Sequence, residues 1–176
     1  MPTYKLSDVD LRSLLNKVSQ HPSSKLESET IEFKMYSSEN AIHNAKDLGE
    51  ELSALANFKG GVIIVGVAPE SAVPHGKWAD QLQGIAAVDA VSLAERLRGK
   101  LKPAVSLHVS NRDLNGRNYL LIGIEHRRDT LVTTSSGKTY IRDGRSSRPM
   151  TPDEIQTAVK GLSNFDWTAE TNLSST

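Results

Sequence analysis

Asn57-Phe58-Lys59-Gly60-Gly61-Val62-Ile63-Ile64-Val65-Gly66-Val67 is the stretch on which the fold turns. Val62 to Val67 is a continuous apolar run, which reads as a strand covered on both faces and stopped by Pro69. Asn57 to Gly61 closes whatever precedes it, with glycine supplying the positive φ that ends a helix. Upstream, Ile42, Ala45, Leu48, Leu52, Leu55 and Ala56 recur every three or four residues, which predicts one helix from about Ser38 to Phe58. Before it, Glu27 to Tyr36 alternates around Ile31, Phe33 and Met35, the pattern of a half-buried strand. Leu6 to Val18 carries a helical apolar face with Ser7 as N-cap, broken by His21-Pro22-Ser23-Ser24.

Downstream, residues 69–87 read as an irregular connection with a short turn at Gln81 to Ile85. Asp89 caps a helix from Ala90 to Leu101, which Pro103 ends. Val105 to Ser110 and Tyr119 to Glu125 alternate as strands around an Asn115-Gly116 turn. An extended piece at Leu131 to Thr134, a turn at Ser136-Gly137 and a strand from Thr139 to Arg142 follow. Thr151-Pro152-Asp153-Glu154 then opens a last helix through Leu162. The order α-β-α-β-α-β-β-β-β-α predicts an α/β (α+β) chain, with an open mixed sheet and helices packed against it. We divide it into an N-terminal helical extension (1–25), one domain (26–163) and a polar tail (164–176).

The 176 residues contain no cysteine, so disulfides, thiolate zinc sites and cysteine nucleophiles are excluded. No apolar run approaches the length of a membrane span, and MPTYKLSDVD lacks the order of a signal peptide, so a cytoplasmic protein without a membrane partner is expected. Lys+Arg and Asp+Glu both total 21, giving zero net charge, whereas nucleic-acid binders usually run basic. The distribution is uneven. Acids concentrate in Glu27 to Glu32 and Asp47 to Glu51; bases gather at Arg96 to Lys102, at Arg127-Arg128 and along Lys138 to Arg148. A local basic groove is compatible with the neutral total.

Glu27 and Glu32 lie five positions apart, on opposite faces of a regular strand; they converge only if Glu27 sits in the loop before it. Converged, they would suit a divalent cation of the kind that assists phosphodiester cleavage; otherwise they are a solvated acidic strand entrance. Tyr140-Ile141-Arg142-Asp143-Gly144-Arg145-Ser146-Ser147-Arg148-Pro149 offers three arginines, two serines and a glycine, all suited to phosphate contact, and Lys138 adds to that patch. The competing reading is a solubilising loop, with Arg142 paired internally to Glu32 or Glu27. Ser136-Gly137-Lys138-Thr139 mimics the end of a P-loop, but Val132 replaces its first glycine and the segment falls in a hairpin. The parts for ATP hydrolysis, nucleotide-cofactor redox and serine hydrolysis are missing.

Glu27-Ser28-x-x-Ile31-Glu32-Phe33-Lys34, then Leu55 to Gly61 and Ile63 to Val67, resemble the schlafen AlbA-type DNA-binding domain. Tyr140-Ile141-Arg142-x-Gly144-x-Ser146-x-Arg148-Pro149 followed by Thr151-x-x-Glu154-Ile155 resembles that family's closing motif. The match runs in order from about Glu27 to Leu162. The resemblance implies an AlbA-like fold and nucleic-acid binding, DNA or RNA, in defence or regulation. In animal schlafens two such lobes form a basic cleft that cleaves structured RNA such as tRNA, with an acidic triad and a divalent metal, Mg2+ or Mn2+. Glu27 and Glu32 match the first two acids. Ala68-Pro69 stands where the third, an aspartate, belongs, and Glu70 is the nearest substitute. The two-lobed relatives also imply a homodimer or a partner protein. Three expectations follow. The first is a binding module gripping backbone through Lys34, Lys59, Lys138, Arg142, Arg145 and Arg148. The second is a metal-dependent endoribonuclease using Glu27, Glu32 and Glu70. The third is a protein-interaction module that has lost nucleic-acid binding.

Overall fold

The computed structural model describes residues 4–163, so the proposed polar tail lies outside the described residues. Strand β2 (Gly61–Val65) runs through the middle of a four-stranded sheet. It pairs parallel with β1 (Ile31–Lys34), setting Glu32 opposite Ile63. On its other side it pairs antiparallel with β5 (Arg117–Ile124), which pairs with β4 (Leu107–Leu114) in the order β1-β2-β5-β4. The mixed sheet is as the sequence predicts.

Alternation along β2 makes two cores. Ile63 and Val65 pack with Leu120, Ile122 and Ile124 of β5 against α3 (Lys46–Phe58) and α4 (Ala90–Arg98). Val62 and Ile64 pack with Phe33 and Leu121 under Leu11, Leu15 and Val18 of α1 (Asp8–Val18). All four β2 side chains are fully buried, the pattern expected of a strand covered on both faces. Helix α1, capped by Ser7 as its sequence suggests, therefore supplies the cover of one sheet face.

The glycines at the start of β2 have separate reasons. Gly60 ends α3 at φ +72, and its N–H donates to Leu55 O at 2.7 Å. Gly61 has no room for a side chain, because a Cβ there would strike the carbonyl of Thr30 on the neighbouring chain segment.

Four expectations are corrected. The single helix from Ser38 to Phe58 is two, α2 (Glu39–Asn44) and α3, because Ala45 is extended at φ −67 and ψ 120. Turning there lets α2 pack beside α4, where Glu39 accepts from Arg96 and from the Asp89 N–H; a tertiary gain overrides local periodicity. The first strand is only Ile31–Lys34, because the Ser28 N–H folds back onto Ile31 O at 3.0 Å. Helix α4 stops at Arg98, and Leu101–Lys102 forms a short strand, β3, paired with β6 (Thr133–Thr134). Ser146–Pro149, read as loop, is a strand, β8, which forms a hairpin with β7 (Tyr140–Asp143). The last helix is α5 (Pro152–Ser163).

Two polar side chains of α3 fasten the β6–β7 region. The Asn57 carboxamide donates to Val132 O at 2.8 Å and to Tyr140 O at 2.9 Å, and accepts from the Val132 N–H at 2.8 Å. Buried Ser53 donates to Val132 O and accepts from the Tyr140 N–H. The asparagine of the opening stretch thus carries the hairpin along α3.

Candidate functional site: an acidic cleft with an arginine pivot

Because β1 is short, Glu27 lies in the loop before it, the one condition under which Glu27 and Glu32 share a side. Both line a cleft of about 740 Å³, together with Lys34, Glu51 of α3, Glu70 and Arg145. Five serine hydroxyls, from Ser23, Ser24, Ser71, Ser146 and Ser147, complete its wall. The structure therefore brings the three nominated acids and two nominated cations to one place.

Arg142 organises the cleft from beneath. Its side chain is 0% exposed, and Nη1 donates to Glu32 at 3.0 Å, Glu51 at 2.8 Å and Ser147 Oγ at 3.1 Å. Nη2 donates to Ser28 O at 2.6 Å. Lys34 holds the same acids from the other side, 3.5 Å from Glu32, 3.7 Å from Glu51 and 3.1 Å from Asp47. Alternation along β7 explains the placement: Tyr140 and Arg142 point toward α3, where Tyr140 donates to Glu50 and Arg142 meets Glu51.

Burial dominates the electrostatics. It pushes Glu32 up to about 7, with Glu51 and Glu27 adding to the rise and Lys34 and Arg142 resisting it. Burial also raises Glu27, against the Phe33 N–H and the charges of Arg145, Lys34 and Arg142. Lys34 is pulled down by burial, but Glu51, Glu32 and Asp47 outweigh that and raise it. Glu70 is held low, first by the Ser24 hydroxyl and also by the Ser24 N–H and Ser23.

These arrangements do not fit a divalent cation. Glu32 and Glu51 converge, but on a guanidinium that already occupies the cation's place. Glu70 is tied to Ser23 and Ser24, and among the described residues no three His, Cys, Asp or Glu side chains gather to hold a metal.

Of the other nominated cations, only Arg145 stays at the cleft; Arg148, Lys59 and Lys138 scatter. Arg148 forks onto Glu154 at 2.7 and 3.1 Å and onto Asp143 at 3.0 Å. Glu154 exchanges hydrogen bonds with Thr151 in a capping box, so Arg148 latches β8 to the start of α5. Lys59 is exposed but paired with Glu29 at 2.8 Å. Arg145 is exposed at the cleft mouth, where it donates to Ser24 O at 2.8 Å. Lys138 is exposed on the turn before β7. Glu51 and Ser147 enter the site without having been nominated. The signal for Glu51 was present: it falls within the apolar face of Leu48, Leu52 and Leu55, where a carboxylate needs a buried partner.

The sequence profile of the family described as Schlafen, AlbA_2 matches residues 27–151. No curated protein matches the chain. Among solved structures, the DIP2311 protein from Corynebacterium diphtheriae is similar over 90% of this chain, with 19% identity and a TM-score of 0.63. The matched region is 29% of that protein, so this chain spans under a third of it. The N-terminal domain of a protein described as related to the ATP-dependent DNA helicase RecG, from Nitrosomonas europaea, is similar over 79% of this chain and 92% of its own. Its identity is 20% and its TM-score 0.51. These likenesses show a shared fold. With the profile covering most of its length and in the motif order described, the chain belongs to the Schlafen, AlbA_2 family.

Proposed function

We propose that this chain is a nucleic-acid-binding module that contacts phosphate backbone and leaves it uncut. One observation carries the reading: Glu32, Glu51 and Glu70 of the cleft are each held by a protein donor, while Arg145 stands exposed at its rim among serine hydroxyls. Acids engaged in this way neither recruit a metal nor repel a phosphate at the rim as free carboxylates would. Arginine and hydroxyls are the groups that grip backbone without reading sequence. Family membership supports the same class of ligand, as does the description of the Nitrosomonas relative as helicase-related.

The contact set is narrower than the sequence suggested. Arg142 is a structural pivot in this reading, Arg148 a latch and Lys34 a neutraliser; Arg145 and Lys138 make the contacts. Fluorescence anisotropy with labelled tRNA, single-stranded DNA and duplex DNA tests it. Arg145→Ala is expected to weaken binding several-fold on all sequences and to lower the salt slope by about 1, as loss of one phosphate contact does. Unchanged affinity and slope would remove Arg145 from the interface. The nuclease alternative requires Glu32 to be released by Arg142, and Glu70 by Ser23 and Ser24, to ligate a cation. The interaction-module alternative is favoured by the internal pairing of Lys59 and Arg148, and it expects no binding even at low salt.

A further inference from the structure

A second cavity, of about 400 Å³, opens beside the first turn of α3, on the Glu50 side of the helix. Lys46 of α3, Lys100 after α4 and Lys138 of the β6–β7 turn line it, with the hydroxyls of Thr134, Ser135 and Ser136. Three elements distant in sequence thus bring three lysines to one hollow. Their opponent there is Glu50, whose carboxylate accepts from Tyr140 Oη at 2.9 Å. Asp47, which also acts on Lys100, bonds to Lys34 and Tyr36.

The donors in this hollow are largely uncommitted. Lys100 donates to Ala45 O at 3.3 Å, which engages one of its three N–H groups. Burial lowers its pKa, the shift of a cation that is short of solvent and counter-charge. Lys46 and Lys138 are exposed, and within the described residues neither forms an ion pair. Thr134 Oγ1 and Ser136 Oγ share one hydrogen bond at 2.9 Å, while the Lys138 N–H donates to Thr134 at 3.3 Å. Two hydroxyls joined by one bond leave one hydroxyl proton free for a ligand. The turn itself is fixed by Gly137 N–H to Thr134 O at 2.9 Å, with Gly137 at φ +82.

We propose that this hollow is a phosphate-binding site. Lysines contributed by three different elements suit a tetrahedral oxyanion better than a planar carboxylate, and lysine binds phosphate as a point charge. The hollow exceeds a phosphate group in volume, so the attached sugar is accommodated as well. The phosphate is either an internal phosphodiester of a nucleic acid or a terminal phosphomonoester, which carries more charge. The site shares Lys138 with the proposed function but no residue with the acidic cleft, so Arg145→Ala tests the cleft rim separately from the hollow.

The test uses the full, isotope-labelled chain, followed by amide NMR while inorganic phosphate is added at constant low ionic strength. Saturable shifts confined to Lys46–Glu50, Lys100 and Ser135–Lys138 are expected, with Arg145–Ser147 unmoved. In the Lys46→Ala/Lys138→Ala double variant, both exposed positions, affinity should fall on the order of tenfold while the remaining spectrum is retained. Shifts that chloride reproduces, or an unchanged affinity in the double variant, would overturn the site. Short oligonucleotides with and without a terminal phosphate then identify the source. Tighter binding of the phosphorylated form, erased by the double variant, assigns a chain end. Equal binding, weakened for both by the double variant, assigns an internal phosphate. If the double variant affects neither, the site takes no nucleic-acid phosphate.

Discussion

Arg142 shows how one residue changes role between sequence and structure. In a run of arginines and serines it looks like a phosphate contact. In the fold, β7 alternation turns it inward to Glu32, Glu51, Ser147 and the Ser28 carbonyl. A charge so placed stabilises chiefly by not leaving its partners alone. Arg142→Ala should cost about 3–5 kcal/mol, because two buried carboxylates lose their shared cation. Urea denaturation measures this, and adding Glu32→Gln to that variant should recover part of the loss; strict additivity would mean the two do not interact. Glu32 also makes a pH prediction. Its folded value is about 7, above the ordinary carboxylate value, so the folded state binds the extra proton between the two. Its contribution is present below the ordinary value and lost as pH rises through about 7. Thermal melts of wild type should lose stability over that window, and Glu32→Gln should flatten the loss; identical pH profiles would contradict it. The sequence showed Glu32, Lys34 and Arg142 as chemistry. It offered the pairing of Arg142 with Glu32 only as the competing reading, and could not choose it over phosphate contact, since the two lie 110 positions apart.

At the scale of elements, legibility followed the reach of the determining contacts. Helix α1, the β2 run, the Asn115-Gly116 turn and the cap of α5 rest on near neighbours, and the sequence displays them. The break at Ala45 depends on α4, about fifty positions away, and periodicity alone could not reveal it. Strand β8 pairs with its neighbour β7, but Ser146-Ser147-Arg148-Pro149 carries no apolar alternation to mark a strand. Helix α1 covers one of the two cores through Leu11, Leu15 and Val18, so Leu11→Ala should cost about 2–5 kcal/mol in denaturation, as for other buried leucines. A cost near zero would mean that α1 does not close the sheet. Helix α5 is fastened at its start by the Arg148–Glu154 latch and the Thr151 capping box, and within it Val159 is 51% exposed. Hydrogen exchange should therefore be fastest in α5 and slowest in β2 and β5. Equal protection would show that α5 docks more firmly than its contacts indicate.

For the whole molecule, zero net charge is resolved by where the charges go. Glu32 and Glu51 of the cleft pair with Arg142 and Lys34, Arg148 and Lys59 pair with acids of their own, and Arg145, Lys46, Lys100 and Lys138, outside ion pairs among the described residues, lie in two places flanking α3. A neutral chain built this way can still present phosphate-seeking patches, and composition alone had counted against them. Among the described residues no helix is long and apolar enough to cross a membrane. The central claim is that the chain binds nucleic-acid backbone without metal chemistry. The most direct measurement is anisotropy of labelled tRNA and DNA at two salt concentrations, in chelator and in Mn2+, with the products run on a gel. The account predicts binding that weakens steeply with salt, is the same in chelator and Mn2+, and leaves the strands intact. Cleavage that requires Mn2+ and is lost in Glu32→Gln would contradict it, as would an absence of binding at low salt.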